Sequence, residues 1–124
     1  MHTVPDMTVY FVLTQDANLE GDINEIYADM EATVVVGTVH YSCTPTSATT
    51  FFCHNLAHFT MYDHDNDPKE GGPDLLNFPE IFDAASGTAT GVLGPGSGIF
   101  AGVNGYFSVT PTEVGTFAMD MYFE

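Results

Sequence analysis

Twelve glycines and seven prolines interrupt this chain of 124 residues, and β-branched and aromatic side chains fill the intervals. Proline removes a backbone donor and glycine weakens a helix, so this punctuation disfavours long helices and favours short strands joined by turns. The last pattern in the chain is the clearest. Phe117, Met119, Met121 and Phe123 alternate with Ala118, Asp120, Tyr122 and Glu124, the period of two that sends one set of side chains to a buried face. Residues 7–14 alternate in the same way through Met7, Val9, Phe11 and Leu13. Further strands are expected over 33–42, 51–62, 88–93 and 105–110, with a weaker one over 75–82 interrupted by Pro79. Residues 19–30 fit either a helical turn or a strand. Seven or eight short strands in a chain of single-domain length, 1–124, predict an all-β barrel or sandwich.

The charge balance narrows function. Seventeen Asp and Glu stand against one basic residue, a net charge of −16, and that residue is Lys69; there is no arginine. Nucleic-acid binding requires a row of cations to displace counterions, so no nucleic-acid partner is expected. An anionic membrane surface repels such a chain, and no apolar run reaches the length of a membrane-spanning helix, so no membrane partner is expected. Phosphoryl-transfer chemistry lacks its arginine clamp and its P-loop lysine. The acid excess itself reads first as a solvated surface.

Two cysteines carry more information. Cys43 and Cys53 flank Thr44-Pro45-Thr46-Ser47-Ala48-Thr49-Thr50-Phe51-Phe52, whose centre reads as a turn between two strands. If the hairpin is symmetric about Ala48, the two cysteines face each other at a Cα separation of about 4.5 Å, within disulfide range. Two reduced, buried thiols are the alternative. The same register sets Val39 against Ala57, Tyr41 against Asn55 and Gly37 against Phe59, an inward face carrying one polar pair. It turns His40, His54 and His58 outward. His54 and His58 lie about 13 Å apart along one strand, too far to share a metal, and a two-histidine set lacks the ligands zinc requires. No metal site and no cofactor are expected.

Other motifs are weaker. Asp63-His64-Asp65-Asn66-Asp67 begins like a calcium loop but has Pro68 and Asp74 where an EF-hand requires glycine and glutamate. Weak calcium binding and a plain solvated connection both stay open. No Gly-x-Ser-x-Gly elbow occurs. Gly94-Pro95-Gly96-Ser97-Gly98 lacks the lysine of a phosphate cradle and reads as a tight turn between strands.

The segment Leu93-Gly94-Pro95-Gly96-Ser97-Gly98-Ile99-Phe100-Ala101-Gly102-Val103-Asn104-Gly105 resembles the signature of the allene oxide cyclase and dirigent-like barrels. Gly21-Asp22, Ile26-Tyr27 with Asp29, and Val36-Gly37 are similar to early elements of the bacterial members, and Cys43 and Cys53 stand where many of those members carry a hairpin cysteine pair. The resemblance spans roughly residues 20–110. It implies an eight-stranded antiparallel, calycin-like barrel around a small apolar cavity, working without a cofactor. The plant cyclases carry a glutamate and an asparagine on their first strand; here those positions fall on Phe11 and Leu13, so the resemblance argues fold rather than that particular reaction.

Function is accordingly expected to be cyclisation or isomerisation of an apolar, oxygenated small molecule held in a barrel cavity. The alternative is a non-catalytic, secreted dirigent-like or ligand-binding barrel. Tyr41, Asn55 and Glu25 are the candidate catalytic groups, with Tyr41 and Asn55 placed to hydrogen-bond a substrate oxygen. Val9, Phe11, Val39, Phe59, Met61, Phe107, Met119 and Met121 are the candidate ligand-binding residues. Homo-oligomerisation stays open. A cysteine pair in a β-rich, acidic chain fits a secreted or extracytoplasmic protein whose leader is absent from this chain, with a cytoplasmic location as the alternative. Closing the nine-residue loop between the cysteines stabilises by about 2–3 kcal/mol on the chain-entropy estimate. Reductant is therefore expected to lower the melting temperature by several degrees, and mass spectrometry without reduction to find no free thiol.

Overall fold

The computed structural model describes residues 4–12, 20–60 and 73–124. Nine strands follow one another: β1 (Met7–Phe11), β2 (Glu20–Tyr27), β3 (Val35–Pro45), β4 (Thr50–Phe59), β5 (Asp74–Asn77), β6 (Glu80–Asp83), β7 (Thr88–Leu93), β8 (Gly105–Pro111) and β9 (Phe117–Phe123). Every pairing is antiparallel. Eight strands close into a barrel in the cyclic order β1-β2-β3-β4-β6-β7-β8-β9, and the short β5 pairs with β4 beyond the end of β6. Residues 19–30, undecided from sequence, supply β2, which bridges β1 and β3. Met61 and most of the acidic segment from Asp63 lie outside the described residues.

β5 and β6 are two parts of one line. Leu56 pairs with Asn77 and Cys53 with Glu80, and between them the Phe78 N–H donates to the Asn55 carbonyl at 3.0 Å. The register never slips. Pro79 has no N–H to offer, and the regular ladder stops there.

Alternation then decides what is inside. The expected hairpin register is observed throughout β3 and β4, including Tyr41 opposite Asn55 and Cys43 opposite Cys53. The two cysteines form a disulfide. His40 and His54 are exposed and His58 is half-buried on the outer face. The barrel is filled by Ile26, Leu76, Phe107, Met119 and Met121, each at most 1% exposed, with Val9, Phe59, Phe78 and Phe100 packed beside them. Phe78 meets Phe107 edge-on with ring centroids 5.4 Å apart, the geometry aromatic quadrupoles prefer.

The glycine-rich segment is not the tight hairpin turn that its composition predicts. From the end of β7 it runs alongside β5. The Gly94 N–H donates to the Asn77 carbonyl, the Asn77 N–H to the Pro95 carbonyl and the Ser97 N–H to the Leu75 carbonyl. A 3-10 turn at Gly98–Phe100 follows, and the Ile99 N–H donates to the buried Asp74 carboxylate at 2.8 Å. Gly98 has φ +63°, and a Cβ there would overlap Asp74 Oδ1. Gly98→Ala therefore meets both backbone strain and a clash, and is expected to cost about 2–3 kcal/mol. Denaturant titration checks this; a loss below about 0.5 kcal/mol contradicts it.

Candidate functional site

A cavity of about 750 Å³ occupies one end of the barrel. It runs from Asn55 and Phe78 inside to Ala84, Gly87 and Gly115 in the turns that follow β6 and precede β7 and β9. Its wall is largely aromatic and aliphatic: Phe11, Val39, Phe51, Phe78, Phe82, Val109 and Phe117, with the Cys43–Cys53 bridge. Four polar side chains interrupt that wall, namely Asn24, Tyr41, Asn55 and Glu80. Towards the opposite end the core residues above pack together, and a second cavity of about 500 Å³ lies there, lined in part by Met7, Val9, Val36, Phe100 and Phe123.

Glu80 is the residue that sequence reasoning missed. Its partner in the ladder is Cys53, an inward position, so the alternation of β4 forces Glu80 inward as well. It keeps some exposed surface because it faces a cavity, while the barrel wall shields its carboxyl from bulk water. This desolvation raises its pKa from 4.5 to about 7, only partly opposed by a hydrogen bond from Asn55. Asn55 Nδ2 donates to Glu80 Oε1 at 3.1 Å and to the Phe78 carbonyl at 2.9 Å. A carbonyl oxygen accepts only, so the second bond fixes which end of the amide is nitrogen.

This arrangement corrects the expected roles. Asn55 lines the cavity, and both its amide hydrogens are engaged, one by the Phe78 carbonyl and one by Glu80. Tyr41 also lines the cavity. Glu25 does not: it is exposed on the outer face, where it accepts a hydrogen bond from the Tyr27 hydroxyl at 2.8 Å. Its strand neighbour Asn24 takes the inward position, as alternation requires. Among the expected ligand-binding residues, Phe11 and Val39 line the cavity. Phe59, Phe107, Met119 and Met121 are core residues that do not line this cavity, and Val9, also in the core, lines the second cavity.

Among the described residues, no group of three or more His, Cys, Asp or Glu side chains is placed to hold a metal ion, and no helix is long and apolar enough to cross a membrane. No protein-family model, curated protein or solved structure matches the chain. Its chemistry must therefore be read from the cavity.

Glu80 also ties stability to pH. A carboxyl whose pKa is higher in the folded than in the unfolded chain binds its proton more tightly when folded. Its contribution to stability is therefore lost as pH rises from about 4.5 to about 7. The full shift corresponds to about 3 kcal/mol. Glu80→Gln keeps an acceptor for Asn55 and removes the titration. It is expected to raise the melting temperature at neutral pH relative to wild type and to leave it almost unchanged near pH 4. Equal effects at both pH values would show that Glu80 is not desolvated.

Proposed function

We propose that the barrel is a cofactor-independent isomerase or cyclase for an apolar, oxygenated small molecule, with Glu80 as its acid–base group. The supporting observation is the Glu80 carboxyl, held by the Asn55 amide on the wall of a largely apolar cavity, where desolvation pushes its pKa up to about 7. A group that titrates near the working pH can both take and return a proton, the condition under which general acid–base catalysis is most effective. The cavity supplies the other requirement. A flexible or strained molecule confined by phenylalanine rings is held in a narrow set of conformations, and proximity alone can account for much of a barrier in an intramolecular reaction.

In an isomerisation, the Glu80 carboxylate takes a proton from a carbon next to a carbonyl. The electrons shift towards the carbonyl oxygen, and the same carboxyl returns the proton at the far end of the conjugated system. Atoms and charge balance without a second reactant. Tyr41, on the same cavity wall, is the group suited to stabilise the developing oxyanion through its hydroxyl. Asn55 acts as a positioning residue, aiming Glu80.

Convergence of Glu80, Asn55, Tyr41 and Asn24 on one cavity favours an enzyme over a binding barrel, for which an entirely apolar lining would suffice. The disulfide belongs to an oxidising, extracytoplasmic environment, and secretion is the corresponding proposal for where the enzyme works.

The test uses a β,γ-unsaturated cyclic ketone, followed by ultraviolet absorbance as it converts to the conjugated isomer. Wild-type kcat/KM is expected to rise with pH through about 7, as the base loses its proton. Glu80→Gln should lower the rate about 100-fold or more, with Tyr41→Phe less severe. Cavity-sized enones and epoxides that bind without any acceleration over buffer would assign the chain to the non-catalytic reading.

A further inference from the structure

We propose that the cavity selects its ligand by charge, admitting uncharged or cationic apolar molecules and excluding carboxylates. This inference rests on the cavity being the functional site but does not depend on its catalysing a reaction. The first support is the hydrogen-bonding inventory. Both Asn55 amide hydrogens are taken, one by the Phe78 carbonyl and one by Glu80. When Glu80 is ionised, the atoms that this pair offers to a guest are acceptor oxygens, which attract a hydroxyl or an ammonium and repel a carboxylate; Tyr41 and Asn24, the other polar side chains on the wall, are donor-bearing but neutral and supply no charge to offset that repulsion.

The second support is the absence of any compensating cation. Among the described residues, no lysine, arginine or histidine lines the cavity. The chain's one lysine, Lys69, lies outside the described residues. A carboxylate entering the cavity would lose its water and gain no opposite charge, an expensive transfer. A cation has the opposite balance. It finds the Glu80 carboxylate and a wall carrying Phe51, Phe78, Phe82 and Phe117, aromatic rings whose faces attract positive charge. The net charge of −16 acts in the same direction at longer range, concentrating cations and repelling anions at low salt.

pH adjusts this selectivity through Glu80. Among the described residues, the titratable group on the cavity wall besides Glu80 is Tyr41, since Cys43 and Cys53 are bridged.

The experiment uses three probes with one skeleton: 4-phenylbutan-1-ol, 4-phenylbutylamine and 4-phenylbutanoate, titrated calorimetrically into the whole protein. At about pH 8 and low salt, the amine is expected to bind at least as tightly as the alcohol, and the carboxylate at least about tenfold more weakly. At about pH 5.5, where Glu80 is protonated, the gap between alcohol and carboxylate should narrow. Glu80→Gln should remove the advantage of the amine and bring the carboxylate to within about threefold of the alcohol at pH 8. If that variant does not fold, the wild-type ranking and its pH dependence decide. A carboxylate that matches the alcohol at pH 8 overturns charge selection while leaving the cavity and its proposed chemistry intact. Failure of all three probes to bind removes the cavity as a ligand site, and both proposals fall together.

Discussion

Five consecutive residue pairs, from Met7 with Met121 to Phe11 with Phe117, join the first strand to the last. A sheet that fails to close leaves two rows of unpaired backbone groups, and closure removes both. Here the seam is made by the segments most separated in the chain, so the barrel exists only once its two ends have met. The same pairs bring Val9, Met119 and Met121 into the core and set Phe11 and Phe117 on the cavity wall. On the outer face, the Thr8 hydroxyl reinforces the seam by donating to Asp120 at 2.7 Å. On its other side, β1 meets β2 through Tyr10 and Tyr27 alone among the described residues, so the β1–β9 contact carries most of the closure.

How much of this was legible in the sequence depended on whether two strands could be tied together. The cysteines fixed one register, and from it every facing pair of β3 and β4 followed correctly. β9 and β7 were equally readable, one from alternation and the other from its flanking turns. Glu80 escaped because Pro79 makes its strand look broken. Yet Asp74, Leu76, Phe78, Glu80 and Phe82 alternate across that break and all face inward or line the cavity. An alternating set of three apolar residues carrying two acids was the available signal, and extending the β4 register by one strand would have exposed it. Glu25 misled for the complementary reason. Without the parity of β2, a carboxylate near the family-like elements could not be assigned to the outer face. The core residues misassigned to the cavity reflect a further limit: periodicity tells inside from outside, but not which depth of a barrel is filled.

The buried carboxyls Asp74 and Glu80 illustrate two solutions to one problem. Both lie on the inward face of the β5–β6 line, and burial penalises a carboxylate wherever it occurs. Asp74 is completely buried and accepts the Ile99 backbone N–H, holding the glycine-rich segment against β5. Glu80 receives one side-chain hydrogen bond and faces open space. The first anchors backbone; the second keeps a proton exchangeable near neutrality. Their difference comes from the neighbouring backbone, which comes close enough to bond Asp74 and leaves room beside Glu80.

The wall and the rim of the cavity answer to different parts of the chain. Strand residues, the Cys43–Cys53 bridge among them, form most of the cavity wall, whereas part of its rim is drawn from short turns, at Ala84 and Gly87 and at Gly115. Turns tolerate substitution and insertion far better than a closed ladder does. The molecule is thereby divided into a closed ladder that resists change and a rim of turns that tolerates it. A lineage of such barrels could diverge in what it accepts while its frame stayed constant, and a protein engineer could graft new turns onto the same ladder without first having to stabilise it.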